Sequence, residues 1–351
     1  MAEIEVLKDE NTISLESLNA RIQEIEDSMG GLNPRNLAGI RASDLIKATV
    51  ANMFGDGSDG DIEITGTTTL TRDMFYNYLT IASGGILNPN GFRVFVENDL
   101  IIKSGGYIKR NGNPGGNASE GSAGTGGAAL ASGSLPAGED GKVGAVYGSP
   151  IGLPGTAGDD VAKSLGNAGS GGGGGGSSPD GAGGAGGNGG SQTGTVFNVP
   201  KSFIAAYLLL DIVPSITNLL GSAGSGSGGA GGSSSPGTGG PGGGSGSTGG
   251  FIEIFAKKII NEQEEGIQAK GGAGGNGMNG SASGNGGGGG GAGGSGGVIL
   301  LIYGEMTGTG TVVATGGAKG LKGLGVGTGN NGSDGSDGLA GNIFNISTTQ
   351  L

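Results

Sequence analysis

The sequence predicts a mainly β fold with an N-terminal α-helical coiled coil, β-solenoid- or β-prism-like repeats and glycine-rich polyglycine II helices. Three observations predict it. A unit of strand, turn, strand and glycine run returns along the chain. Glycine fills 91 of 351 positions, about a quarter where roughly 7% is usual. An apolar 3-4 spacing runs through the N-terminal residues.

That spacing joins Leu15, Leu18, Ile22, Ile25 and Met29, with charged residues on the other faces. It is the seam of a coiled coil. Gly30-Gly31 ends it. These five residues are the expected oligomerisation site, and 1–30 the attachment and oligomerisation helix. A plain amphipathic helix packed on its own chain is the alternative. Residues 31–58 read as a second helix, Leu37 to Phe54, and a neck. From Gly55 to Asp61, across the end of the neck, Asp56, Asp59 and Asp61 alternate with glycine. Such carboxylates can ligate a hard cation, but no bidentate Glu follows as in an EF-hand loop. A solvated turn is expected, with no metal site.

Residues 59–112 form the β-repeat domain. Leu79–Leu87 matches Leu100–Ile108 at an offset of 21 positions. Each copy alternates apolar and polar residues, so one face is buried, and each turns through Ser-Gly-Gly, where glycine supplies positive φ. One rung cannot bury its face alone; stacked rungs can. The larger unit at Gly250–Ala273 returns at Gly297–Ala318 and, earlier, at Phe92–Gly112. A single-chain solenoid and a trimeric β-prism both fit these repeats.

Residues 113–250 are glycine-rich, and 251–351 alternate β-repeats with glycine tracts. Such composition offers too little apolar area for an ordinary core. In the last tract glycine recurs every third residue: Gly317, Gly320, Gly323, then Gly329 to Gly341. Three is the period of a polyproline II-type helix. Without side chains such helices approach closely and pair their peptides. Flexible linker is the competing reading. The apolar insertion at 195–220 is predicted to include a helix from Lys201 to Val213. It is either buried between chains or offered to a partner. Asn342–Thr348 alternates like a closing strand.

The chemistry is limited. With no His and no Cys, the usual general bases and thiol nucleophiles are missing. No catalytic residue and no cofactor site is assigned. Glu262, Glu264 and Glu265 read as a solvated turn. A net charge of −12 argues against nucleic acid as a partner. The N-terminus has no signal-peptide pattern, so synthesis in the cytoplasm is expected. The apolar run from Phe203 to Val213 is too short to span a bilayer.

Gly60–Met74, Leu79–Ile81 and Leu87–Val96 resemble the start of glycine-rich phage and bacterial β-solenoid proteins. The alternation of glycine tracts with other segments is similar to tail-fibre-tip adhesins of T-even-like bacteriophages; the N-terminal coiled coil departs from that pattern. The resemblance implies a non-enzymatic, tail-associated fibre or spike at the virion surface, a fibrous homotrimer tied to other virion proteins by its N-terminal region. It further implies a host cell-surface receptor, either polysaccharide or protein. Segment 135–164 is the candidate receptor loop, with Tyr147, Asp159 and Asp160 as contacts. A capsid fibre or decoration protein and a polysaccharide-degrading tailspike are the alternatives.

Overall fold

The computed structural model describes residues 53–135, 137–146, 151–159, 161–162, 169–193, 228 and 239–348. They contain two connected regions, a parallel β-solenoid and a bundle of glycine tracts. Leu15, Leu18, Ile22, Ile25 and Met29, most of Leu37–Phe54, and 196–220 lie outside them.

The expected fold class needs correction. The described residues contain no α-helix and pair in parallel sheets, so the coiled-coil part of the expectation finds no support. A β-prism would pair strands from three chains. Here one chain closes its own ladder. Its parallel pairing explains why short alternating repeats suffice: each rung needs only its two neighbours.

The strands are β1 (Asp61–Ile64), β2 (Thr67–Thr69), β3 (Met74–Tyr76), β4 (Tyr78–Ile81), β5 (Ile86–Asn88), β6 (Val94–Ile102) and β7 (Tyr107–Lys109), then β8 (Val161–Ala162), β9 (Gln192–Thr193), β10 (Phe251–Asn261), β11 (Ile267–Gln268), β12 (Val298–Thr307), β13 (Val312–Val313) and β14 (Asn342–Ser347). One sheet runs β1-β4-β6-β10-β12-β14, with β3 also on β6, and the second runs β13-β11-β7-β5-β2. β8 and β9 pair apart from both. Each rung crosses the first sheet, turns, and crosses the second.

The sequence repeats are the pairing register. Leu79 faces Leu100, Phe251 faces Val298, and Ile254 faces Val94. Inward residues stack into one core that includes Leu79, Ile81, Leu100, Ile102, Ile254 and Leu301, all with no exposed surface. On the opposite face of the first sheet Phe75, Phe95 and Phe255 stack at 4.7 Å. The Ser-Gly-Gly corner divides its labour. Gly84 and Gly105 adopt φ near 80°. Gly85 and Gly106 do not; a Cβ there would strike the Ile64 or Ile81 carbonyl of the preceding rung.

After β11 and after β13 the chain leaves the solenoid as a glycine tract, turns, and returns to the next long strand. The longer excursion after β7 contributes further tracts. Their peptides bond at every third residue: Gly271, Gly274, Gly277 and Gly280 donate to Thr315, Ala318, Leu321 and Leu324. This is the packing expected of polyglycine II helices, and it is order rather than linker.

Tract 240–250 shows why glycine is needed. One row of its N–H groups donates to 286–295, a second to Ala145, Lys142 and Glu139, and a third to Gly116, Asn113 and Arg110. Its carbonyls accept from Gly124 and Gly127, from Gly228, and from 272–278. Six neighbours surround it, and 239–256 is buried throughout. Pro241 lacks a donor, and stands where the third row has run out because that neighbour has already turned at Ser119–Ser122. In tract 314–323, at the surface, Ala314, Gly317, Gly320 and Gly323 are buried while the positions between them are mostly exposed. Glycine content thus follows the number of neighbours.

Arg110 stands where β7 passes into the first tract. It is 2% exposed. Its Nη1 donates to the Phe251 carbonyl at 3.3 Å and its Nη2 to that of Ala131. Burial without a carboxylate partner pushes the guanidinium down to about 10.

Candidate functional site

Three of the bundle's described turns gather at the end away from the solenoid, while the bend at Gly133–Leu135 lies against it, where Leu135 donates to the Gly91 carbonyl. Ser178–Gly181, 281–284 and 326–329 are neighbours there. Gly284 donates to the Val326 carbonyl at 2.7 Å, Val326 to that of Asn285 at 2.9 Å, and Asn330 to that of Ser177 at 2.9 Å. Asn330 Nδ2 also donates to Ser177 Oγ at 2.7 Å. Ser119–Ser122 turns about one helical repeat short of them, since Ala118 bonds Asn276. The local chemistry is that of turns: Gly121, Gly284 and Gly327 have positive φ, and Pro179-Asp180 suits a tight reversal. The ends are exposed and polar, and the tracts beneath them hold them by backbone bonds on several sides.

Segment 135–164 is not the free loop expected of it. Gly141 and Gly144 donate to Gly127 and Gly124, and Gly152, Gly155 and Gly158 to Ala182, Ala185 and Asn188. Most of the segment is therefore two more tracts, whose ends at Val146 and Ile151 both point to the turn end. Their three-residue glycine spacing is present in the sequence; the interleaved Leu, Val and Lys obscure it.

Tyr147 and Asp160 lie outside the described residues. Asp159 is described, at the opposite end of its tract from the turns. Lys142 Nζ bonds it at 2.5 Å and Asp140 at 2.6 Å. Burial, opposed by these two hydrogen bonds, leaves the ammonium raised overall. Glu139 completes the group; burial and then the Asp159 charge push its carboxyl up. Glu139, Asp140 and Asp159 are close enough to share a metal ion, but Lys142 already supplies their cation. The group ties one tract to another.

The Asp-Gly run is likewise occupied by structure. Asp59 takes Arg72 at 2.5 Å and the Phe75 N–H at 2.7 Å. Asp61 accepts from Asn77 Nδ2 at 2.6 Å, and Asp56 from the Ser58 N–H at 3.1 Å. The Arg72 hydrogen bond holds the Asp59 carboxyl below its ordinary value. At the Glu262–Glu265 turn, Glu265 adopts φ 53° and pairs with Lys270 at 2.5 Å.

No family model, no curated protein and no solved structure matches this chain.

Proposed function

We propose that this protein is a non-enzymatic surface fibre or spike component of a virion that attaches to a host cell surface, with the turn end of the glycine bundle as its contact region. The gathering of three turns at the far end of a backbone-bonded bundle carries the reading. Loops on a rigid scaffold can vary without cost to the fold, and so can carry recognition. The resemblance of the repeats and tracts to phage fibre proteins supports the same use. The receptor is a polysaccharide or an outer-surface protein.

The test replaces Ser178–Gly181, 281–284 and 326–329 with minimal Gly/Asn turns and measures binding to host cells. The expected result is unchanged thermal stability with lost cell binding. If the unaltered protein neither binds cells nor blocks adsorption of the virus, the attachment reading fails. Release of reducing sugar from host polysaccharide would instead assign a tailspike.

A further inference from the structure

The bundle poses a question that its interior does not: why it stops growing. Tract 314–324 sends one row of N–H groups inward, from Gly317, Gly320 and Gly323 to the tract 288–294. The other two rows belong to exposed stretches. Inside the bundle such rows, one donor every three residues, are what another glycine tract binds. With a rise of roughly 3.1 Å per residue, the donors recur about every 9 Å.

On this surface side chains take those donors. Asn276 Oδ1 accepts from the Leu321 N–H at 2.8 Å and Asn279 Oδ1 from Leu324 at 2.7 Å. Asp337 Oδ1 accepts from Lys319 at 2.9 Å and Asp334 Oδ1 from Lys322 at 3.1 Å. Two adjoining tracts repeat the device: Asn111 caps Lys270, and Asn117 caps Asn276, each at 2.8 Å. The capping residues stand at the non-glycine positions of the three-residue period, and each reaches across to the next tract.

We propose that these amide and carboxylate caps close the glycine lattice, and that the partner they hold off is a glycine tract of a second copy of this chain. A row of free peptide donors invites another backbone, as does the open edge of a sheet, and native proteins blunt such edges. Asn and Asp serve here because their short side chains offer an oxygen in reach of a neighbouring peptide. The proposal does not depend on what the turn end binds.

The experiment compares the full chain with N276A/N279A/D334A/D337A and with D334N/D337N, by light scattering across a concentration series and by thermal melting. The alanine variant removes four acceptors; the Asn variant keeps an Oδ1 at both Asp positions. The expected result is a mass for the alanine variant that rises with concentration to at least twice that of the unaltered protein, with D334N/D337N unchanged. Equal mass at every concentration overturns the proposal. If melting also falls, the caps only stitch tracts within one chain. An equal rise in D334N/D337N overturns it too, since lost charge rather than lost caps would then be the cause.

Discussion

The solenoid and the glycine bundle share one chain and one set of rungs, yet they hold together by opposite means. In the solenoid, Leu79, Ile81, Leu100, Ile254 and Leu301 fill a core between two sheets, and the hydrophobic effect dominates. In the bundle the chains approach too closely for most side chains, and the peptides bond in rows around each tract. Three-residue symmetry gives a tract six neighbours where a strand has two. The price is that glycine surrenders much backbone entropy on folding. The two regions meet without a seam: Val298 donates to Gly250, and Asn342 to Gly297, so the ladder of the sheet runs into the lattice of the tracts.

The largest loss of stability is expected at the solenoid core. Ile254 pairs in register with Val94 and Leu301 and has no exposed surface. Ile254→Ala should cost about 2–5 kcal/mol through lost burial and the cavity left behind, read by denaturant unfolding. An effect below that range would mean that burial of Ile254 does not hold the solenoid.

In the bundle the damaging change is the reverse, an added carbon. A Cβ on Gly243 would press on the Gly275 carbonyl, within a tract surrounded on all sides. Gly243→Ala should cost about 1–3 kcal/mol by overpacking. Gly335, in a surface tract, faces the Gly291 carbonyl; Gly335→Val should lower the melting temperature too. No loss at either site would make the tracts dispensable to stability.

Acid should loosen both regions at once. Hydrogen bonding to Arg72 lowers the Asp59 pKa in the solenoid; the Lys322 N–H, then Lys319, lowers that of Asp334 in the bundle. A carboxylate whose folded pKa is depressed contributes stability above its unfolded value, here 3.8. That contribution is lost as pH falls from there through the folded pKa. The cationic partners, Arg72 and Lys319, are exposed, so the effect should be small. D59N/D334N should show a shallower fall of melting temperature across this window; an identical pH profile would remove these ties from the account.

The smallest effect is expected at a non-glycine position of a surface tract. Ala318 is exposed, so Ala318→Val should change stability by no more than about 0.5 kcal/mol. Placed beside Gly335→Val, it measures whether position within the three-residue period, and not the added bulk, decides the outcome.

By itself the sequence determined which residues pair along the solenoid, because a rung must place apolar residues over those of the rung below. Leu79 against Leu100 and Phe251 against Val298 are readable as repeats before they are seen as neighbours. It also determined the helical period, since glycine recurs wherever a neighbouring peptide excludes a side chain, as at Gly317, Gly320 and Gly323. Tertiary structure alone decided which tract lies beside which. Glycine carries no side chain to mark a partner, so nothing local links Gly243 to Gly289, or Gly291 to Gly275; the hydrogen bonds that join them are the same between any two tracts. For that reason 135–164 reads as a loop in the sequence, where the lattice makes most of it two tracts with the Asp159–Lys142 ion pair between them. Closure of the rungs within one chain was equally undetermined, because an alternating repeat buries its face as well against a neighbouring chain as against its own next turn.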